Sequence, residues 1–437
     1  MSPQAPGSDP KTPEALMLDE HHQRDFVLSE MHARPFTEMA TPQHIRHYAF
    51  MADGVSRTSS RRSLRAFCVN RGLPQPPSGA KYHRVDLGGM VLRWEGHSEF
   101  TTMTFESPGL ATDQPFAWVP SDIDAVLNQL GQPGPLLVMV TLEVFEGADP
   151  DGLAALFPPG EVAMAKNIAC SAIFASDFQP DADGRVRIAI AADGLSLAGT
   201  GALVQRILEV ETYRTLVLLG LPQAQVLAPI ISAIEQDLPG QFDQIRHSAL
   251  LETNRTILDR LTELSAQLEH AASASSFRFG ATRAYGDLIW RRLNVIGEVP
   301  VAGYTDWSGF FARRLEPAIG TCRAVEQRAE ELSRRLSRAA QLLRTRVDIE
   351  LETQNSALLS SMDRRAQLQL RLQQTVEGLS VAAISYYVSS LAEHIFEGLK
   401  AYGLPLNPII ATAMATPVVL LVVGALVWRL RSSHHDM

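Results

Sequence analysis

The stretch that most constrains this chain is Ile409–Trp428, which carries no charge over 20 residues and is followed at once by Arg429 and Arg431. An apolar bilayer core about 30 Å thick is crossed by about 20 helical residues. In lipid the backbone has only its own groups to bond, so a run of this kind must be helical. Pro417 disturbs a membrane helix less than a soluble one. Trp428 stands where an amphipathic ring suits the interface, and the arginines after it mark the cytoplasmic side. The run is expected to be a transmembrane helix.

Orientation then raises a conflict. With a single span, arginines inside put the larger N-terminal part outside. Yet the first residues, "MSPQAPGSDPKTPEALMLDE", have neither the basic start nor the apolar stretch of an export signal. A second span removes the conflict. Thr375–Leu391, "TVEGLSVAAISYYVSSL", holds one charge, Glu377, and meets the lower limit of spanning length. Arg364, Arg365 and Arg371 precede it, and Ala392–Pro408 sets only Lys400 against Glu393 and Glu397. Basic residues at the outer ends alone are the pattern of a hairpin with both termini inside. One span plus an interfacial helix is the alternative. The expected location is the inner (cytoplasmic) membrane, with the bulk of the chain in the cytoplasm and the bilayer as first partner.

With 437 residues, 46% of them hydrophobic, the chain has material for two or three domains. A net charge of −9 argues against a general nucleic-acid binder, whose affinity comes from neutralising phosphates. Cys68, Cys170 and Cys322 are odd in number and far apart, so no zinc set or disulfide framework is expected and a reducing compartment suits them.

Residues 1–15 are expected to be a disordered arm and 16–238 a cytoplasmic α+β domain. In the latter, "KYHRVDLGGMVLRWEGHSEFTTMTF", "PLLVMVTLEVF", "VAMAKNIACSAIFASDF" and "RVRIAIAADG" read as strands between glycine, proline and aspartate. Ser121–Gly131 reads as a short helix with Ser121 as N-cap, and Gly201–Pro222 as a helix closed by Gly220 and Pro222.

Residues 239–374 read as long helices. Val325, Ala329, Leu332, Leu336, Ala339 and Leu343 alternate four and three apart in a heptad-like seam. It loses register at Arg346–Gln354 and resumes at Leu358, Met362, Leu368 and Leu372. Asn254, Ile257, Leu261, Leu264 and Leu268 form a second stripe on a helix from about Gln241 to Ala272, and "SSFRFG" reads as a turn before a helix over Thr282–Ile296. The fold class is thus an α+β N-terminal domain, then coiled-coil-like long helices, then a transmembrane hairpin spanning 375–391 and 409–428. Packing within one chain and a homo-oligomer through the helices and spans both remain open.

Few residues suggest chemistry. In "SEMHARPF", Glu30, His32 and Arg34 lie close enough for acid–base work or an anion clamp; a helix end at Pro35, with Arg34 paired to a surface carboxylate, is the plainer reading. Strand alternation puts Arg93, Glu95, His97 and Glu99 on one face, where the last three offer oxygen and nitrogen ligands to a metal; a solvated charged face is the alternative. "DGLSLAGTGALVQR" sets glycines before a helix N-terminus but lacks the phosphate-loop lysine and the dinucleotide spacing. Arg206 with Glu209, and Glu211 with Arg214, are spaced to brace a helix. No hydrolase signature occurs, so no enzyme activity and no cofactor are expected.

"EMHARPF", "LRWEGHSEF", "LVQRILEVETYR" and "TVEGLSVAAISYYV", in that order, resemble a bacterial family of uncharacterised membrane-anchored proteins, a domain of unknown function. The resemblance implies a membrane location and no activity. The architecture is also similar to that of the CorA-type divalent-cation channels, in which the first span lines an oligomeric pore closed by a Gly-Met-Asn motif. Here the matching stretch, "EHIFEGLKAYGLPLNP", has no such motif. Three readings follow: a membrane-anchored scaffold or regulatory protein; a channel or transporter with Glu377, Ser380, Ser385, Ser389 and Glu393 toward its pore; and an enzyme using His32 and Arg34.

Overall fold

The computed structural model describes residues 19, 21–24, 27–28, 36–109, 115–116, 122–147, 149–169, 171–247, 251–401, 403–405 and 407–435. The expected arm, and the motif residues Glu30, His32 and Arg34, lie outside them. So do Ser121 and Cys170.

Among the described residues, nine strands form one sheet. They are β1 (Gln43–Met51), β2 (Tyr82–Asp86), β3 (Val91–Gly96), β4 (Phe100–Pro108), β5 (Leu136–Glu146), β6 (Ala163–Lys166), β7 (Ala172–Pro180), β8 (Val186–Ala192) and β9 (Val299–Pro300). The order is β2-β3-β4-β1-β5-β8-β7-β6-β9. Only β5 and β8 run parallel.

Both faces of the sheet are covered. Helix α1 (Gly54–Asn70) and helix α2 (Asp122–Leu130) bury Leu64, Phe67, Ile123 and Val126 against Leu92, Trp94 and Phe105. Trp94 Nε1 donates to Ser60 Oγ at 3.0 Å, so the ring is buried without losing its hydrogen bond. After the short α3 (Pro150–Ala154), helix α4 (Leu197–Leu218) lays Leu203, Ile207 and Leu216 on the opposite face, over Val140, Leu142 and Ile188. The domain is therefore an α/β sheet domain with a mixed sheet.

Local readings change where tertiary packing outweighs them. "VAMAKNIACSAIFASDF" is two antiparallel strands, β6 and β7. Asn167 makes the turn, its Oδ1 accepting from the backbone of Ser171 at 3.0 Å and Ala172 at 2.9 Å. Helix α4 begins earlier than expected because Ser196 caps it, accepting from Gly199 N at 3.1 Å. Gly201 is no anion cradle, since the Thr37 carbonyl rests where a Cβ would stand.

Nor does the helix run stop at Gly220, which opens α5 (Gly220–His247). That glycine is needed for close approach, because a Cβ there would overlap the Thr282 hydroxyl. Helix α6 (Leu251–Ile296) passes straight through the expected turn at "SSFRFG". Phe279 within it is buried, and Ser275 and Thr282 direct their hydroxyls to the carbonyls of Ala271 and Val217. Helix α7 (Trp307–Arg314) then returns to the sheet core, with Trp307 fully buried beside Phe174 and Phe178.

The remaining helices are α8 (Glu316–Ala401) and α9 (Pro408–His435). The chain forms two compact units, residues 1–240 with 263–337, and residues 241–262 with 338–437. In the first, the sheet domain takes up part of the region expected to be helices alone. In the second, Asn254, Ile257 and Leu261 of α6, and Ala339, Leu343 and Val347 of α8, are buried. Arg346 donates to the Ile245 carbonyl at 2.7 Å. The heptad-like seam is thus buried within the chain itself as far as Val347.

Asn254 is fully buried, and among the described residues neither its side-chain oxygen nor its nitrogen has a hydrogen-bond partner. A buried, unsatisfied amide costs about 1–3 kcal/mol. Asn254→Leu is expected to raise the thermal unfolding midpoint; an unchanged or lower midpoint would show that the amide is satisfied in solution.

Candidate functional site

The expected metal face is not continuous. β3 ends at Gly96, and His97–Glu99 turn the chain into β4. Gly96 sits against the stem of Arg57, which donates to the carbonyls of His97 and Ser98 and holds the turn. Glu95 is buried and accepts from Thr102 at 3.3 Å. The His97 ring stacks on Phe100, with centroids 4.0 Å apart. Glu99 pairs with Arg278 of α6. Among the described residues, no three metal-ligating side chains converge.

Beside them lies a small void of about 20 Å³, lined by His47, Arg93, Glu95 and Thr102 from the sheet and by Gln205, Glu209 and Thr212 from α4. It has room for one water. Arg93 Nε and Gln205 Oε1 are buried there without a protein partner among the described residues, a donor and an acceptor for such a water. Of the expected helix braces, Glu211 does hold Arg214, with Nε to Oε2 at 2.9 Å. Glu209 instead pairs with Arg292 of α6, and Arg206 lies over the Phe36 ring.

Strand β1 carries two buried histidines that sequence reading passed over. His47 Nδ1 is 2.8 Å from Thr104 Oγ1 and its Nε2 is 3.0 Å from Thr212 Oγ1. The Thr212 hydroxyl donates to the Leu208 carbonyl, so it accepts from Nε2–H. Burial, helped by the nearby Arg93, pushes the His47 imidazole down to about 3.

On the other face, His44 Nδ1 is 2.6 Å from Glu143 Oε1, and Arg46 Nε donates to His44 Nε2 at 3.0 Å. A guanidinium only donates, so Nε2 accepts and Nδ1 carries the hydrogen given to Glu143. Phe116 N also donates to Glu143 Oε1, at 3.3 Å, and Arg46 donates to Thr141 at 2.6 Å. Both nitrogens of each imidazole are used. Neither ring has a nitrogen left over for a metal or a substrate, so the network locks β1 to β4, β5 and α4.

A larger cavity, about 310 Å³, opens where β7 meets α4 and α7. Phe178, Phe310, Phe311 and Leu218 wall it; Arg214, Arg314 and Glu161 stand around it. Phe178 has φ 53°, a left-handed conformation that a bulky residue adopts only under constraint from its surroundings. The Phe310 and Phe311 rings pack on it at 4.8 and 4.9 Å. Arg214 pairs with Glu211, Arg314 with Glu161, and Asp177 with Arg187. The charges are matched and the floor is aromatic, so the cavity suits a small apolar group better than a bare ion.

In the second unit, the described helices include one that is apolar on all sides, α9. Among the described residues of the whole chain, two helical stretches are long and apolar enough to cross a membrane, Leu197–Ile245 and Pro408–Arg429. The first packs Leu203, Ile207, Val210 and Val217 inward. The second leaves Ile409, Met414, Leu421 and Trp428 exposed. The 375–391 stretch of α8 is not among them. The expected pore residues do not share one open face: Ser385 is buried, Ser380 donates to the Val376 carbonyl at 2.8 Å, and Glu377 accepts from Gln373 at 3.1 Å.

Fold and site together define a sheet domain joined to long helices and a C-terminal apolar helix. The profile described as Protein of unknown function (DUF3422) matches residues 19–434, and the chain belongs to that family. No curated protein and no solved structure matches it.

His47 has a direct consequence for stability. Its folded pKa is about 3 and its reference value 6.5, so the unfolded chain takes up the proton first. Its contribution is complete above pH 6.5 and is lost as pH falls toward 3, at a limiting slope of about 1.4 kcal/mol per pH unit. Unfolding followed from pH 7 to pH 4 should show a steeper loss for the native chain than for His47→Gln. Equal slopes would mean that the imidazole is solvated.

Proposed function

We propose that this protein is anchored in the cytoplasmic membrane by a helical hairpin and carries its sheet domain on the cytoplasmic side as a scaffold or regulatory module. The hairpin comprises the end of α8, from about Thr375, and α9. The observation that carries the reading is exposure. Tyr386, Tyr387 and Leu391 on α8 are as open as Ile409, Met414, Leu421 and Trp428 on α9. Soluble monomers rarely leave contiguous apolar surface on this scale, whereas lipid covers it.

The covered positions support the same reading. On α8 they include Val381, Ser385 and Ser389, and on α9 Ala411, Thr412 and Ala415. Small residues of this kind let membrane helices approach closely. Among the described residues, the hydroxyls of Ser385, Ser389 and Thr412 are buried without a hydrogen-bond partner; in hydrocarbon they would bond across the hairpin. Gly403, with φ 92°, and Asn407, which accepts from Ile409 N at 3.3 Å, belong to the short connection between the helices. The channel reading finds no comparable support, since its expected residues are spread around α8. The enzyme reading rests on Glu30, His32 and Arg34, which the structure does not describe.

The test is topology. Cys68, Cys170 and Cys322 are replaced by serine, and single cysteines are placed at Gly398 and Ser433. Intact cells are treated with a thiol reagent that does not cross the membrane. Labelling at 398 and protection at 433 is the expected result. Labelling at 433 with protection at 398 would leave one span with the tail outside, and the hairpin would be wrong.

A further inference from the structure

Helix α8 loses its cover before it reaches its apolar end. Val347 is buried and Leu351 half-buried, but every residue from 352 to 376 is exposed. That stretch is not uniformly polar. Leu351, Leu358, Leu372 and Leu379 stand at multiples of seven, with Met362 and Val376 four residues after Leu358 and Leu372. A seven-residue spacing holds apolar side chains on one slowly turning face. It is the side of the helix that the buried Leu343 and Val347 occupy further up, so a seam covered by the chain itself continues uncovered. At 100° per residue this face lies opposite Ser385, the buried side of the proposed hairpin.

We infer that a second copy of this chain covers the face, the two α8 segments packing in parallel from about Leu358 to Leu379. The parallel arrangement rests on the membrane reading above. Two copies held by identical hairpins enter the bilayer in the same direction and to the same depth, so Leu358 meets Leu358 and Leu372 meets Leu372. No other partner has its apolar positions set at matching heights by the chain's own anchor. The extent is also right. A leucine-sized side chain buries on the order of 100 Å². Leu358, Met362, Leu372, Val376 and Leu379, flanked by Leu359 and Leu368, therefore supply about 700 Å² per copy, near the ~800 Å² that one side of a stable interface contributes.

Two residues depart from the pattern between Leu358 and Leu379, Arg365 and, four after it, Gln369. Arg365 stands seven after Leu358 and seven before Leu372, in the middle of the seam. In a parallel pair two arginines would meet there, lowering affinity, as polar residues at seam positions do. A helix that stayed alone in water would gain nothing from leucine at 365; a paired one would tighten.

The experiment uses the full chain in its native membrane, with Cys68, Cys170 and Cys322 replaced by serine. Single cysteines are placed at Leu358 and Leu372 on the seam, and at Gln367 and Gln374 on the opposite side. After mild oxidation, disulfide-linked dimers are expected for 358 and 372 and only background for 367 and 374. Arg365→Leu should tighten the pair by about tenfold, read as a higher linked fraction at low expression, and Leu358→Asp with Leu372→Asp should reduce the linked fraction of a 379 cysteine to background. Equal linking on both sides, or none at 358 and 372, would overturn the proposal. The fraction of protein sedimenting with membranes is scored on the same sample. Loss of sedimentation thus reports failure of the membrane reading, while full sedimentation without seam-specific linking reports failure of the pairing alone.

Discussion

A helix in water persists only when something covers its apolar face, because its backbone hydrogen bonds alone barely repay the ordering of the chain. Helix α8 makes that constraint visible along a single element. Up to Val347 the apolar positions of its seam are buried within the chain. From 352 to 376 they are bare, though they keep their spacing. Beyond that the helix has an apolar run around Tyr386 and Tyr387, and α9 is uncharged from Pro408 to Trp428. Protein, a matching helix and lipid are the three surroundings that these three compositions call for, in that order. The pairing and the anchor proposed above are the second and third of them.

The sheet domain follows a different rule. Strand β1, held between β4 and β5, is buried on both faces and yet carries His44, Arg46 and His47. Such groups survive burial only when each donor and acceptor is matched. The matching here consumes both nitrogens of each ring. The burial and hydrogen bonding that make β1 a rigid centre are what make its histidines unavailable for chemistry. The aromatic-walled cavity beside α7 has the opposite character, with paired charges at its edge and a floor held in a strained backbone conformation at Phe178.

Much of this was legible in the sequence, and the failures have physical causes. Strands β2–β5 and β8 show in their β-branched runs, and the C-terminal apolar helix shows in twenty uncharged residues. "QHIRHYAFM" gave no strand signal, because charged and aromatic residues fall on both of its faces and only its neighbours supply their partners. "RTSSRRSLRAFC" is mostly polar, yet Leu64 and Phe67 reach the core from one side of α1. Gly201 and Gly220 read as a helix start and a helix stop, whereas each permits a close approach by a segment distant in sequence. The metal face failed at Gly96, where alternation ends and Glu99 turns to Arg278. Heptad spacing in α8 was readable as a seam, but spacing alone does not say which part the chain covers for itself.

The central claim is that the end of α8 and α9 form a hairpin whose outer surface meets lipid. Spin labels placed singly along both helices, in the full chain reconstituted into bilayers, test it most directly through collisions with oxygen and with a polar nickel reagent. The account predicts high oxygen and low nickel accessibility at Tyr387, Met414 and Leu421, and low accessibility to both at Ser385 and Thr412. High nickel accessibility at Tyr387 and Leu421 would put these faces in water and contradict it.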